Sequence, residues 1–420
     1  MKCFDIYKVY MILIQRKDQV LLFQEVKYNQ NKCIQEINSI CSAFLWSGPV
    51  LSTQRAKVAW EEVCKPKEEG GLGLKNLSDV NKVSCLKLIG RILYARTTLW
   101  VKWIWKYLIR KGSFWSVKIT SSLGSWMWKK LLNLRPLAKQ LIKVEINNGS
   151  NTSFWFDNWS PLGSLIDLVG ERGSMDLGIP IYSTVETAIQ MYRFRRHRTH
   201  TLQMIEREVL ALRNRGLNQS DDIYLWKRVN GEYQEGFVTS QAWNLIREQS
   251  LKVSWFKGVW FSEATQKFAF ITWLAARNRL ATGDRILRWN PQAISTCWLC
   301  KSVIETKDHL FFECNYSKEV WQGTIRNMVS RSNLCQWSNV LQVVVKGLHG
   351  KILTFLLRYS FQAVVYALWH ERNVRRVREP SRPAVCLIAN LDKLIRNRIT
   401  SLRGRFGGKY ERAMEIWFGR

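Results

Sequence analysis

Apolar residues recur at helical spacing over much of the chain, and this pattern sets the expected fold. From position 34 onward the apolar side chains share one face of a helix; they are Ile34, Ile37, Ile40, Cys41, Phe44 and Leu45. The segment 78–93 resumes the same spacing, with Ser78 as the expected N-cap. Further stretches predict helices at 199–215, 239–248, 264–278 and 283–289, and one that begins near Ser317.

Two stretches alternate with the two-residue period of a β-strand around a turn. The first is 144–159, where the cluster Asn147-Asn148-Gly149 is the expected turn. The second runs from YLWKRV to EYQ through Asn230-Gly231. That dipeptide predicts a type I′ turn, because such a turn needs positive φ at both central residues. The chain is therefore expected to be mainly α, with small β-hairpins and more than one part.

Two more apolar segments are expected to lie in a core. The run 352–369 is the longest, but Arg358 and Gln362 interrupt it. A membrane span needs about 20 nearly uncharged residues, so this run predicts a buried helix. The segment 97–109 carries a stripe of large side chains, which is more often core than a base-stacking platform. Its members are Trp100, Trp103, Ile104 and Tyr107.

The N-terminus and the cysteines indicate a compartment. Asp5 and Lys8 break the first apolar stretch and no small-x-small cleavage site follows, so a signal peptide is not expected. Ten cysteines in 420 residues are too sparse for a disulfide scaffold, and three of them fall within 297–314. A nuclear or cytoplasmic protein, neither secreted nor bound to a membrane, is the expectation.

The charge balance favours a polyanionic partner. The chain has 64 Lys+Arg against 33 Asp+Glu, a formal charge of +31. Arginines concentrate at 193–198 and in the last 50 residues, and a forked guanidinium suits phosphate. A charge run is also typical of an ordinary solvated face, but the excess over the whole chain favours RNA or DNA. The candidate phosphate contacts are Arg193, Arg195, Arg196, Arg198, Arg372, Arg375, Arg376, Arg378, Arg396, Arg398, Arg403 and Arg405.

One short window carries residues suited to metal chemistry. Cys297, Cys300, His309 and Cys314 follow the spacing C-x2-C-x8-H-x4-C. Zn2+ takes about four nitrogen and sulfur ligands in a tetrahedron, and a Cys-x2-Cys turn can present two thiolates to one ion. His309 and Cys314 are five residues apart, about 140° from sharing an α-helical face, so they are expected to bracket a turn. With every position filled by protein, the expected zinc site is structural rather than catalytic.

Two other interpretations of this window stay open. The cysteines could be buried without a metal, or Cys297 and Cys300 could be a redox pair. The redox interpretation lacks the surrounding βαβ pattern and leaves His309 unexplained. Cys335 is a spare candidate ligand that the spacing does not favour.

No constellation in the sequence predicts catalysis. A nucleotide polymerase needs paired carboxylates to hold two metal ions. The Asp221-Asp222 pair is expected to form a turn before a strand, and Asp157 is interpreted as an isolated carboxylate at a hairpin end. The glycine-rich loop 70–73 lacks the Gly-Lys-Ser/Thr that would cradle phosphate, so it predicts a tight turn. We expect no catalytic residues and no small-molecule substrate.

Three tracts together resemble a known family. Residues 43–93, from AFLWSGP to CLKLIGRIL, resemble the segment after the polymerase palm in plant LINE-type, non-LTR retrotransposon reverse transcriptases. The block 154–165, FWFDNWSPLGSL, is similar to the next block of that family. Residues 238–321, which include CWLC and ETKDHLFFEC, are similar to its zinc-binding module. The combination is far more specific than any one tract.

This resemblance implies roles for the residues it covers. The cysteines of CWLC and the histidine and cysteine of ETKDHLFFEC correspond to the metal ligands of the module. The implied role of the module is to grip template RNA or target DNA during target-primed reverse transcription. The sequence has no counterpart of the polymerase fingers and palm with their aromatic-x-Asp-Asp site, so it resembles a C-terminal fragment of an element. We therefore expect a zinc-containing nucleic-acid-binding protein that is not itself an enzyme.

The same resemblance divides the sequence into five expected parts. They are an unmatched leader (1–30), a helical post-palm, thumb-like region (31–110), a hairpin and basic connecting region (111–215), the zinc-binding module (216–345), and a buried helix with a basic tail (346–420).

Three other interpretations of the chain stay open. The tryptophan-rich helices could form a groove for a protein partner, with zinc only holding the fold. The chain could be a subunit that works with a reverse transcriptase palm supplied in trans. It could also be a decayed reading frame without a selected function.

Overall fold

The computed structural model describes residues 30–119, 124–329, 336–404, 408 and 410–420. The chain divides into two compact units. The first combines the described residues up to Leu74 with Ser250–Arg420, and the second is Lys75–Gln249. The five-part division made from the sequence stays a prediction. The leader pattern before residue 30, Cys335 and Arg405 lie outside the described residues.

Helices make up more than half of the described residues, which confirms the expected mainly α class. In chain order the α-helices are α1 (Gln30–Ser47), α2 (Trp60–Cys64), α3 (Leu77–Tyr94), α4 (Leu99–Ile104), α5 (Trp126–Asn133), α6 (Arg135–Leu141), α7 (Leu165–Val169), α8 (Arg172–Leu177), α9 (Val185–Met191), α10 (His200–Arg215), α11 (Thr239–Ile246), α12 (Phe256–Val259), α13 (Gln266–Ala276), α14 (Gly283–Leu287), α15 (Asn315–Ile325), α16 (Trp337–Lys346), α17 (Lys351–Arg376), α18 (Ala384–Leu402) and α19 (Ala413–Phe418). Two five-residue π-helices occur at Trp105–Ile109 and His309–Glu313.

The helices predicted from apolar spacing are present, with small shifts at their ends. The helix expected at 78–93 is α3, but its N-cap is Asn76, whose side-chain oxygen accepts the Ser78 amide at 2.8 Å. The prediction of Ser78 as the cap is therefore wrong by two residues. The Asn76 oxygen satisfies a free amide of the first helical turn, which is the role that a serine oxygen at the N-cap would have.

The second unit contains a three-stranded antiparallel sheet in the order β1-β2-β3. Its strands are β1 (Ile142–Glu145), β2 (Ile223–Lys227) and β3 (Tyr233–Glu235), with Ile142 opposite Trp226 and Leu225 opposite Glu235. The predicted β2–β3 hairpin is confirmed, but not its type I′ turn. The amide of Gly231 bonds to the Arg228 carbonyl and the Arg228 amide bonds to Glu232, with only Gly231 at positive φ (89°). This is a three-residue loop with a glycine bulge.

The hairpin predicted at 144–159 is wrong. Its first strand, β1, pairs with β2, which lies about 80 residues later in the chain. The cluster Asn147-Asn148-Gly149 does turn the chain, but the carboxylate of Asp222 holds it. That carboxylate accepts the amides of Asn147 at 2.7 Å and Gly149 at 2.9 Å and the Thr152 hydroxyl at 2.6 Å. The distant strand β2 therefore takes the place of the local strand partner that alternation alone suggested, although the Val144 amide still bonds to the Asn158 carbonyl at 2.9 Å.

The first unit is arranged around α17, which confirms the buried helix predicted from the run 352–369. Phe361 of α17 lies at the centre of an aromatic cluster, with ring centroids 6.1 Å from Phe312, 6.3 Å from Trp321 and 5.5 Å from Trp337. Of the described helices, α17 is the one long and apolar enough to cross a membrane, and 67% of its most apolar window is buried inside the protein. Its apolar character is accounted for by this packing.

The aromatic stripe in 97–109 does not lie in the core, and that prediction is wrong for three of its four members. Ile104 is 2% exposed, whereas Trp100, Trp103 and Tyr107 are 41%, 51% and 48% exposed. The helix buries its other side, which carries the aliphatic residues. Periodicity located the amphipathic helix but assigned the wrong side to the core, because large aromatic side chains score as apolar wherever they face.

The glycine-rich loop is a tight turn, as predicted. Gly70 and Gly73 have φ of 89° and 78°, and the amide of Gly71 bonds to the Pro66 carbonyl at 3.0 Å. A Cβ at Gly71 would lie 2.0 Å from the Lys65 carbonyl oxygen, so only glycine fits there. The Gly70 carbonyl accepts the indole of Trp273 at 2.7 Å, which fastens the loop to α13 in the first unit.

Candidate metal centre

The Cys-x2-Cys pair lies at the tip of a short hairpin-like loop. The Cys297 amide bonds to the Val303 carbonyl at 2.8 Å, and the Lys301 amide bonds to the Cys297 carbonyl at 2.7 Å. Lys301 adopts a φ of 59°, a left-handed conformation that non-glycine residues seldom adopt. The loop therefore bends sharply just after Cys300, and it closes with a β-bridge between Thr296 and Ile304.

The second half of the site depends on a π-helix. His309 begins the π-helix His309–Glu313, and the Cys314 amide bonds to the His309 carbonyl at 2.8 Å. This bond joins residues five apart, one residue more than the hydrogen bond of an α-helix spans. Residues five apart therefore come together here, which an α-helix would keep apart. His309 and Cys314 therefore bracket a turn, here a π-turn, and do not share an α-helical face, whereas α15 begins at Asn315 instead of near Ser317.

These two elements bring all four predicted ligand side chains together. The ligand atoms of Cys297, Cys300, His309 and Cys314 lie within 4.8 Å of one another, and this group could hold a metal ion. The Cys300 Sγ is 3.3 Å from His309 Nε2. Cys297 and Cys314 are fully buried, and the other two are partly buried. The cluster thus has a sheltered sulfur pair and a more open side.

The cluster favours a thiolate at Cys314. The hydrogen bond from the Cys297 thiol lowers the pKa of Cys314 to about 5, and the amides of Ser317 and Tyr316 at the start of α15 favour the same charge. Cys297 keeps the proton of this pair, so its pKa is raised by Cys314 and by burial. An anionic sulfur next to further sulfur and nitrogen donors is the form in which cysteine binds a metal.

A buried ion pair fixes the cysteine loop to the core of the first unit. Glu305 follows the loop and is 0% exposed, while Arg372 of α17 is 1% exposed, with its Nη2 2.6 Å from the Glu305 carboxylate. The same carboxylate accepts the amide of Gly283, and Arg372 also donates to the Ala281 carbonyl at 3.1 Å. The charges are therefore paired and largely hydrogen-bonded, which a pair at such depth requires.

A second set of contacts joins the loop to the same helix. Arg375 donates to the Leu299 carbonyl, within the Cys-x2-Cys turn, at 2.9 Å. Its guanidinium also bonds to Glu371 at 3.0 Å and lies 4.4 Å from the ring centroid of Tyr316. The backbone next to Cys300 is thus oriented by a charged side chain of α17, as outer-shell groups commonly orient ligands.

These contacts change the set of candidate phosphate-binding residues. Arg372 is removed from it, because its guanidinium is buried against Glu305. Three others are partly buried and bonded within the protein, namely Arg375, Arg396 with Asp392, and Arg398 with the Glu263 carbonyl. Seven predicted residues are exposed: Arg193, Arg195, Arg196, Arg198, Arg376, Arg378 and Arg403.

The carboxylates considered at the sequence level have structural partners. Asp222 is engaged by the turn at residues 147–152, and β2 begins directly after it. Asp157 is 2% exposed and accepts the Trp115 indole at 2.6 Å and the Ser153 amide at 2.7 Å. Burial raises the pKa of Asp157 to about 6. Instead of ending a hairpin, Asp157 stabilises the core of the second unit.

Comparison with known proteins places this site in a family. The family described as zinc-binding in reverse transcriptase matches residues 237–321, which include all four ligand positions. An uncharacterized mitochondrial protein of Arabidopsis thaliana is 30% identical over 129 residues, 30% of this chain and 80% of that protein. The chain belongs to the plant retroelement reverse-transcriptase family. A candidate ribonuclease H protein of Arabidopsis thaliana is 21% identical to this plant retroelement protein over 296 residues. The match covers 69% of this chain and 47% of the relative, so the chain spans about half of that relative's length.

The sequence did not identify Glu305 and Arg372 as part of the centre. Glu305 lies between the two ligand pairs, and Arg372 sits inside an apolar helix, where an arginine needs a partner. That unusual position was the available signal. It was masked by the neighbouring basic residues, which suggested one continuous solvent-exposed run.

We expect the Glu305–Arg372 pair to be strongly coupled. Glu305→Ala or Arg372→Ala should each lower the free energy of unfolding by about 3–5 kcal/mol, because each leaves one buried charge unpaired. The double variant should cost little more than either single one. Urea unfolding of the four proteins measures the coupling. Arg412→Ala is the control, since Arg412 pairs with Glu415 at an exposed site and should cost less than about 1 kcal/mol. Additive single effects would contradict this account.

Proposed function

We propose that this protein is a zinc-stabilised nucleic-acid-binding protein, derived from the C-terminal part of a LINE-type reverse transcriptase and without polymerase activity of its own. The observation that carries the proposal is the closed group of three cysteines and one histidine inside the segment that matches the reverse-transcriptase zinc-binding family. A strongly basic chain with an exposed arginine run supports the choice of partner.

The donor set and its spacing fit zinc. Zn–S bonds of about 2.3 Å in a tetrahedron require sulfur atoms about 3.8 Å apart, and the observed group, within 4.8 Å, needs only small shifts to reach that geometry. Three thiolates and an imidazole suit zinc better than the oxygen-preferring Mg2+ or Ca2+. Cys297, Cys300, His309 and Cys314 would fill all four positions, leaving none for a substrate. Such a centre stabilises a fold and supplies no open catalytic position.

The exposed arginines support contact with phosphate. Arg193, Arg195, Arg196 and Arg198 follow α9 and are all exposed, and Phe194 among them is 67% exposed. Arg376, Arg378 and Arg403 supply further exposed charge in the first unit. Because phosphate contacts carry no base information, binding through these residues would have little sequence preference.

The proposed lack of catalytic activity is supported by the positions of the carboxylates. In the part of the chain that the structure describes, the cysteine–histidine cluster is the one group of three or more metal-binding side chains. Asp222 accepts hydrogen bonds from three donors of the turn at residues 147–152, and Asp157 is buried against Trp115. Neither is arranged as one of a pair that could hold two catalytic metal ions.

The proposed site also suggests a compartment and a partner. Thiolate ligands persist best where cysteines stay reduced, which favours the nucleus or cytoplasm. A reverse transcriptase palm supplied in trans is compatible with a subunit that contributes binding alone. Primer extension by this chain alone would then be absent.

Removal of the metal should unfold the first unit. With a zinc chelator we expect the cooperative thermal transition of that unit to broaden or disappear, because two buried thiols and the cysteine loop lose the ion that holds them. Adding Zn2+ should restore the transition, whereas Mg2+ should not. Cys297→Ser should behave like the chelated protein without any chelator, and Cys386→Ser, at an exposed cysteine, should behave like the wild type. An unchanged transition after complete metal removal would contradict the structural role.

Nucleic-acid affinity should depend steeply on salt. If about six phosphate contacts form, the affinity for a labelled 30-nucleotide RNA or DNA should fall about a thousandfold between 50 and 200 mM salt. Replacing Arg193, Arg195, Arg196 and Arg198 with Gln should flatten the slope of log affinity against log salt by roughly 0.7–0.9 for each phosphate that is no longer neutralised. Fluorescence anisotropy over a salt series measures both quantities.

The matched control removes the same charge elsewhere. Lys32, Lys257, Lys346 and Lys351 are exposed residues of the first unit, and their replacement with Gln changes the net charge equally. We expect a smaller effect on the slope than the arginine variant has. Equal effects would mean that only net charge matters, and a flat salt response of the wild type would refute nucleic-acid binding.

A further inference from the structure

The most unbalanced charge in the sequence lies in the second unit, outside the two arginine-rich regions already discussed. Between Asp79 and Glu145 the chain contains no acidic residue, yet these 65 positions contain 14 Lys and Arg. An ordinary solvated surface mixes both signs, so a stretch with one sign over this length indicates a polyanion-facing region. The helix α4 and the π-helix Trp105–Ile109 lie in the middle of it.

These two helices have one buried side and one exposed side. Val101, Ile104 and Ile109 are 0%, 2% and 6% exposed and face the core. Trp105 is fixed as well, because its indole donates to the Ile92 carbonyl at 3.0 Å. The segment is therefore held firmly from one side, and what it presents on the other side is a fixed arrangement of side chains.

The exposed side carries aromatic rings. Trp100, Trp103 and Tyr107 follow one another at three- and four-residue spacing, which places them on one face. The three residues are between 41% and 51% exposed. The ring centroids of Trp103 and Tyr107 are 5.7 Å apart, with a 39° angle between the ring planes. Large apolar side chains that are exposed together on one face commonly mark an interaction site.

Cations flank the same rings. Lys102, Lys106 and Arg110 are exposed, and the Lys106 Nζ lies 5.5 Å from the centroid of the Tyr107 ring. Arg110 adopts a φ of 61° at the end of the π-helix and donates to the Tyr107 carbonyl at 3.1 Å. Aromatic faces next to basic side chains are the two components that bind unpaired nucleotides, one stacking on bases and the other neutralising phosphates.

We propose that Trp100, Trp103 and Tyr107, with Lys102, Lys106 and Arg110, form a stacking platform for single-stranded nucleic acid. The occupant is single-stranded because a duplex hides its base faces, whereas splayed bases can stack on rings. This inference rests on the proposed nucleic-acid binding and names the form that is bound. It assigns the recognition of bases to the second unit, separately from the metal centre of the first.

The test compares one 20-nucleotide single strand with the duplex of the same sequence, using the full chain loaded with Zn2+. Trp103→Ala and Tyr107→Ala should each weaken single-strand binding about tenfold, within the roughly 5- to 150-fold range that corresponds to the removal of one base stack. Duplex affinity and the salt slope should change little. Trp103→Phe keeps a ring and should retain most of the affinity. Trp289→Ala, at a tryptophan that is 65% exposed in the first unit, is the control and should have no effect.

Charge variants provide a separate signature. Replacing Lys102, Lys106 and Arg110 with Gln should reduce the salt slope for the single strand by roughly 0.7 for each phosphate that these side chains no longer neutralise. The aromatic variants lose affinity at an unchanged slope. Thermal unfolding verifies that each variant is folded. We expect all of them to fold, because the replaced side chains are exposed.

The outcomes separate this inference from the function on which it rests. A wild type that binds no nucleic acid at all refutes both. A wild type that binds with a steep salt slope, but is unaffected by Trp103→Ala and Tyr107→Ala or prefers the duplex, refutes the platform alone. If the aromatic variants instead change only the oligomeric state or the capture of a protein partner, the face is a protein interface and the platform is again refuted.

Discussion

Three cysteines and one histidine converge in the first unit, and their meeting constrains the loop and the π-helix that supply them. Their four donor atoms lie within 4.8 Å of one another, two of them on fully buried residues, and this group could hold a metal ion. The elements that supply these atoms are short, although the π-helix buries Leu310, Phe311 and Phe312. A five-residue π-helix and a short loop would not hold their shape in isolation, because isolated turns of this length are unstable in water.

Both ligand segments are also joined to the central helix α17. Phe312 lies within the π-helix and packs with Phe361 of α17, so the ligand segment and the central helix share an aromatic cluster. On the other side, Glu305 and Arg372 connect the cysteine loop to the same helix by a buried ion pair. The centre and the core are therefore two parts of one cooperative structure. Under the proposed function the metal would contribute stability, and exposed residues elsewhere would bind nucleic acid.

Much of this could be predicted from the sequence, because the signals were local. The spacing of the cysteines and histidine identified the ligand group, apolar periodicity located the main helices, and Asn230-Gly231 marked the β2–β3 hairpin. The failures came where a distant partner decided the outcome. β1 pairs with a strand some 80 residues away, and Arg372 in a basic run turned out to be paired with Glu305. The exposed face with Trp103 was assigned to the core because apolar periodicity counts aromatic side chains as apolar wherever they face.

X-ray absorption at the zinc edge, with metal analysis of the same purified sample, shows directly whether zinc occupies the cysteine–histidine cluster. We expect one zinc per chain with three sulfur ligands at about 2.3 Å and one nitrogen ligand at about 2.0–2.1 Å. His309→Ala should remove the nitrogen ligand, and His349→Ala, at an exposed histidine, should leave the spectrum unchanged. A well-folded chain that contains no zinc, or binds it through oxygen ligands, would contradict the account.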